Sequence, residues 1–181
     1  MACALLCAML AAGAAHAIDD RFNPSKYEKG GFAPVDDALY AKECGSCHFT
    51  YLPGMLPARS WHALIGRSGD HFGESLALAP EAARHIEQYL VSNAADKSSY
   101  RGAQTILYRL EKNAVPLRIT ALPLMRQRHQ VIRKLLVPSQ TTVKGLTNCD
   151  SCHERAAAGS FAYGEIVVPG VTKVIKPGGL F

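Results

Sequence analysis

Two copies of one five-residue pattern constrain this chain more than anything else in it. They are Cys44-Gly45-Ser46-Cys47-His48 and Cys149-Asp150-Ser151-Cys152-His153, and together they use every cysteine outside the extreme N-terminus. Two thiols three positions apart on a helical turn reach the two vinyl groups of one porphyrin and form thioethers with them. The histidine that follows then lies under the iron as its proximal ligand. A zinc site made of two Cys-x-x-Cys pairs usually leaves roughly 15–20 residues between them. Here 101 residues separate Cys47 from Cys149, and both pairs carry the trailing histidine. A thioredoxin-like dithiol would sit in a strand–turn–helix setting, which the flanking residues do not suggest. The pattern predicts two covalently bound haem c groups, one on Cys44, Cys47 and His48 and one on Cys149, Cys152 and His153.

Residues 1–17 carry no acid or base and are mostly Ala, Leu, Met and Cys, ending in Ala15-His16-Ala17. That small-x-small ending reads as a signal peptide cleaved after Ala17, although no Lys or Arg precedes the apolar stretch. The stretch is short of the about 20 apolar residues a membrane span needs. Export agrees with haem attachment, which in bacteria follows export, and places the protein in the periplasm. Removal of the signal leaves about 164 residues, enough for two small domains that each need their haem to complete a core.

Charge divides the chain. Residues 18–96 hold eleven acids and seven bases, whereas residues 97–144 hold ten bases and a single acid, Glu111. The basic run can neutralise haem propionates and coat solvated helix faces, or it can steer an acidic partner. No recognition motif accompanies it, so nucleic acid is not expected as a partner.

The order of elements predicts a mainly α fold. Residues 35–44 read as a short helix, with Asp36 able to cap it, running into the first motif. Residues 49–57 form an apolar loop broken by Pro53, Gly54 and Pro57, and the carbonyl of Pro53 or a neighbour is a candidate acceptor for the His48 ring N–H. Residues 59–67 allow two helical turns, with Ser60 as a cap and Trp61, Leu64 and Ile65 as an apolar face. Pro80 suits the first position of a helix whose buried face is Ala82, Ile86, Tyr89, Leu90 and Ala94. Helix, haem motif, Pro-rich loop, ligand-bearing loop and terminal helix is the arrangement of a class I cytochrome c. Residues 18–96 are therefore expected to be a class I cytochrome c-like domain. Residues 97–181 form a second, irregular domain wrapped around its haem, with helices at 101–112 and 124–137. Only 28 residues follow His153, so the second haem is covered largely by what precedes it, and residues 164–181 make a short strand or an arm along it.

Each iron needs a sixth ligand, and its identity decides the potential: Met raises it and a second His lowers it. For the first iron the choice is His71, in a glycine-flanked loop ahead of the terminal helix, with His62 as the alternative. His85, at the edge of an amphipathic helix, reads as a half-exposed residue or a propionate partner, and Met55 as loop packing. For the second iron the choice is His129, on a helical face with Ile132 and Leu136, with Met125 as the alternative.

Specific runs of text then resemble a known family. They are ECGSCH at the first motif, LPARSW at 56–61, DHFGE at 70–74, IEQYLVSNAAD at 86–96, PLRIT at 116–120, RQRH ending at His129, and NCDSCH at 148–153. The chain resembles the dihaem cytochromes c of Gram-negative bacteria. The resemblance implies a soluble periplasmic electron carrier with bis-histidine haems, and supports His71 and His129 by motif position. It also implies a membrane b-type cytochrome as donor and a small oxygen-binding haem protein as acceptor. Electron transfer without a bond-making step is thus the expected function, and no enzyme activity is expected. The alternatives are a haem enzyme (a peroxidase or small-molecule reductase) and a gas or redox sensor, each requiring one open iron.

Overall fold

The computed structural model describes residues 30–130, 132 and 145–169. The expected signal peptide, residues 18–29, most of the expected helix beyond residue 130 and residues 170–181 lie outside the described residues. What is described is mainly helical, with isolated bridges in place of strands.

Helix α1 (Ala38–Gly45) begins where the Asp37 side chain accepts the Tyr40 amide N–H at 2.8 Å. The cap is Asp37 rather than the expected Asp36, because only from that position does the carboxylate reach the orphan N–H three residues on. Tyr40 is buried, while the last turn of α1 holds Cys44.

The loop after the first motif is as irregular as its prolines require, with one short 3₁₀ turn at Pro53–Met55. Its apolar character has a plain cause: Leu52, Met55 and Leu56 are fully buried, so the loop forms the centre of the protein core. Helix α2 (Ala58–Ile65) follows, burying Ser60, Trp61 and Leu64. Ser60 is not its cap. The Ala58 N–H is instead taken by Asp96 Oδ1 at 2.7 Å, a cap reaching back from the far end of the next helix.

Helix α3 (Pro80–Ser92) starts with Pro80 in the first turn, as its fixed φ and missing N–H favour. Ile86 and Leu90, one turn apart, are its most deeply buried residues and pack toward α2. Asn93 ends it, and the backbone of Ala95 then bonds to Leu56 at 2.9 Å. Helix α4 (Arg101–Tyr108) turns Ala103 and Ile106 inward against the Pro53–Met55 turn. It stops four residues short of the expected end. A 3₁₀ turn at Ile119–Ala121 leads to helix α5 (Pro123–Arg128), again opened by a proline, and His129 is its C-cap.

One buried apolar cluster runs from Phe32 through α1–α4 to Ile119, Leu122 and Ala156. Two backbone bonds hold the ends of that run together: Phe32 N–H to Gly159 O at 2.9 Å and Gly102 N–H to Gly31 O at 2.8 Å. Phe161 meets Phe32 edge to face at 5.5 Å between ring centres. The backbones approach so closely that a Cβ on Gly102 would lie 2.3 Å from the Gly31 carbonyl and 2.8 Å from the Phe32 ring.

Candidate haem sites

The first motif straddles the end of α1. Cys44 lies in its last helical turn, Ser46 is the C-cap, and Cys47 and His48 follow in the turn beyond. The His48 Nδ1–H donates to the carbonyl of Phe49 at 2.7 Å. A carbonyl only accepts, so the proton sits on Nδ1 and the lone pair on Nε2 is free for a metal. The acceptor is thus Phe49 at the start of the loop, four residues ahead of Pro53, whose carbonyl instead accepts the buried Trp61 indole N–H at 2.7 Å.

Across from His48 stands His71, with ring centres 6.4 Å apart and planes 27° from parallel. A tight turn presents it. His71 and Glu74 exchange both backbone hydrogen bonds, and between them Phe72 and Gly73 take φ values of +61° and +99°. Positive φ at both central residues is the two-residue hairpin turn that normally selects Asn-Gly. Asp70 Oδ1 accepts the Gly73 N–H at 3.1 Å and holds the turn. The strained Phe72 is covered by the Arg118 guanidinium, 3.7 Å from its ring centre.

His62, the alternative for this iron, is exposed and bonded to Glu87 on α3. His85 is exposed and its Nε2 meets Asp37 Oδ2 at 2.7 Å, so the residue that caps α1 also ties it to α3. Met55 is fully buried in the core.

The second motif rests on a single 3₁₀ turn, Cys149–Ser151, with the His153 N–H returning to the Cys149 carbonyl at 2.9 Å. His129 approaches from the end of α5, ring centres 6.1 Å apart and planes at 73°. Its Nδ1–H donates to the carbonyl of Met125 at 2.8 Å, which again frees Nε2. Phe161 lies 5.0 Å from the His153 ring. The chain beyond it returns to the motif: Ile166 bridges to His153, and the Val167 N–H bonds to the Cys152 carbonyl at 2.9 Å. The described part of the expected strand or arm is thus a one-residue bridge.

Two imidazoles on opposite sides of one metal, each bonded at about 2.0 Å, place their ring centres about 6.3 Å apart. Both observed pairs match that separation. Among the described residues no three His, Cys, Asp or Glu side chains converge on one point. The pairs therefore suit an iron that brings four porphyrin nitrogens of its own, and the residues fit the group. Burial, the neighbouring His48 and Arg118 lower the His71 pKa, and burial with His129 lowers that of His153. Both shifts favour the neutral ring that a metal requires. Burial pushes the Cys44 thiol up to about 11 and the Cys149 thiol to about 12. The four motif cysteines form no disulfide.

Sequence reasoning missed Asp37–His85 and the Arg118 cover on Phe72, whereas the return of Ile166 to the second motif falls within the expected strand or arm. That return had a visible signal in the β-branched run Ile166-Val167-Val168 between Gly164 and Pro169.

Two Cys-x-x-Cys-His segments on a helical scaffold, each facing a second histidine, define a c-type cytochrome with two haems. The chain belongs to the dihaem cytochrome c family, whose model matches residues 40–161. It is similar to the dihaem cytochrome c from Rhodobacter sphaeroides, at 38% identity over 71% of this chain and 99% of that one, TM-score 0.61. A second structure of that organism's purified protein aligns at 36% identity with the same coverage, TM-score 0.55. The dihaem cytochrome c of Shewanella baltica OS155 aligns at 30% identity over 74% of this chain and 93% of that one, TM-score 0.58. No curated relative matches the chain. Membership brings two covalently bound haem c groups and points to electron transfer.

Proposed function

We propose that the protein is a periplasmic electron carrier whose two irons are each closed by two histidines. The observation that carries this reading is the pair of His–His separations, 6.4 and 6.1 Å. Cys44 and Cys47 would hold the first haem and Cys149 and Cys152 the second, with His48 and His71, and His153 and His129, as the residues that would bind the two irons. Each haem, when bound, supplies an iron that gains or loses one electron with no bond to substrate. The chain's own part would be to present two histidines to each iron and so leave it closed to other ligands. The Phe49 and Met125 carbonyls fix the tautomers of His48 and His129, and the turn held by Asp70 presents His71. Two histidines per iron also set low potentials relative to His–Met ligation.

The family resemblance supports a membrane b-type cytochrome as donor and a small oxygen-binding haem protein as acceptor. Arg109, Lys112, Arg126 and Arg128 are exposed and give a basic surface on which an acidic partner would dock. The motifs need an exported chain, and residues 1–17 supply the signal. Among the described residues no helix is long and apolar enough to cross a membrane.

The test is the visible spectrum of the dithionite-reduced holoprotein before and after carbon monoxide. No change is expected. A shift in about half of the haem absorption would mean an open iron and would move the protein toward an enzyme or sensor.

A further inference from the structure

We infer that Tyr51 is the residue that positions the second haem-attachment segment against the proximal ligand of the first; this rests on the assignment of both motifs as haem sites. Tyr51 lies three residues after His48, and its ring packs on the His48 imidazole at 4.8 Å between centres, tilted by 34°. Its hydroxyl donates to the carbonyl of Thr147 at 3.2 Å, across 96 residues of chain. Thr147 is two residues ahead of Cys149. One side chain thus touches an iron ligand of one site and the backbone leading into the thioether anchor of the other.

Tyr51 is itself held from behind. The Tyr51 carbonyl accepts the hydroxyl of the buried Tyr40 at 2.6 Å, and Tyr40 packs on Tyr89 with ring centres 5.6 Å apart. The Tyr89 hydroxyl in turn accepts the Asp36 N–H at 3.1 Å. Phe49 meets the Tyr51 ring edge to face at 6.0 Å. The Tyr51 backbone is therefore braced by α1, backed in turn by α3, while its phenol packs on His48 and Phe49 and presents a single donor to the second motif. The second motif sits on one 3₁₀ turn instead of a full helix, so its placement depends on such long-range contacts. Tunnelling between two centres falls steeply with distance. A residue that sets the spacing of the attachment segments accordingly sets how fast an electron passes between them.

The experiment uses the holoprotein with Tyr51→Phe, which keeps the ring and removes the donor, and Tyr51→Leu, which removes the ring as well. Hydrogen exchange of the amides at 147–153 and the rate of inter-haem electron exchange after flash reduction are measured for each. Both variants should exchange those amides faster than the parent, and inter-haem exchange should slow several-fold, more in Tyr51→Leu. If Tyr51→Leu fails to retain two haems by mass, Tyr51→Phe decides alone. An unchanged amide pattern or an unchanged inter-haem rate in Tyr51→Phe overturns the inference. Carbon monoxide added to the parent separates this from a failure of the closed-iron reading, since it reports on axial ligation irrespective of Tyr51.

Discussion

Gly73 offers a direct test of how His71 is held. Its φ of +99° lies where L-residues with a Cβ are strained, yet a Cβ placed there meets nothing within 4 Å. Gly73→Ala therefore costs only backbone energy, with no steric clash to confuse the result. That energy is about 1–2 kcal/mol, the cost of holding an L-residue at positive φ. For a chain of this size it corresponds to a fall in melting temperature of about 2–8 °C. Gly69 is the internal control: it lies four residues earlier, also in open space, and has no positive φ. Gly69→Ala should be neutral or stabilise by about 0.4–1 kcal/mol. Both variants would be melted as holoproteins, and carbon monoxide would be added to each after reduction. Gly73→Ala should melt lower and bind the gas at one haem to a greater degree, because the turn that presents His71 has loosened. Equal melting of the two alanine variants would refute the argument that the turn is set by backbone strain.

Gly102→Ala should be far more damaging than either, because its Cβ falls 2.3 Å from a backbone carbonyl that cannot move aside; soluble holoprotein yield and melting would show it. Trp61→Phe keeps an aromatic ring but removes the buried indole bond to the Pro53 carbonyl, leaving that carbonyl only the longer bond from the Leu56 N–H at 3.4 Å, a loss of about 0.5–1.5 kcal/mol in denaturant titration. The Tyr40 N–H, and with it His85, holds the Asp37 carboxyl below its usual value. Its contribution to stability is therefore complete above the ordinary carboxylate pKa and fades as pH falls through the lower folded value. Asp37→Ala should melt below the parent at about pH 6, and the gap should narrow in acid. Charge reversal of Arg126 and Arg128 should slow electron exchange with an acidic partner and flatten its dependence on salt; identical rates at all salt concentrations would leave those residues as solvated surface.

The parts of the fold legible in the sequence are those set by local chemistry. The two motifs are covalent patterns. Pro80 marks a helix start by its own φ, and Ile86 and Leu90 mark a buried face by their spacing. Asp36 and Asp37 are adjacent acids, and only the backbone path reveals which one meets the Tyr40 N–H. The sequence favours His71 over His62 by its glycine-flanked loop ahead of the terminal helix. His62 lies on the exposed side of α2 against Glu87, while the Phe72-Gly73 turn places His71 opposite His48. The Pro53 carbonyl was a reasonable partner for His48 by distance along the chain. It is committed to Trp61 by packing that no local window contains. Contacts such as Tyr51 with Thr147 lie still further beyond sequence reasoning, since nothing in either residue's neighbourhood names the other.

The bonds that join Gly31 and Phe32 to Gly102 and Gly159 also bear on the order in which the protein is made. The elements around His48 and His71, from α1 through α3, are all present once residue 97 has emerged, and they pack mostly on one another. Phe32 must then wait for residues 159–161, the last partners it acquires, before the shared core can close. Contacts so distant in sequence form late and slowly. A chain cut short before residue 159 would thus keep the first attachment motif and its facing histidine while leaving Phe32 without its lid. A chain that stops before residue 149 would carry a single attachment motif, whereas one that stops between residues 153 and 159 would carry both motifs around a core still open at Phe32.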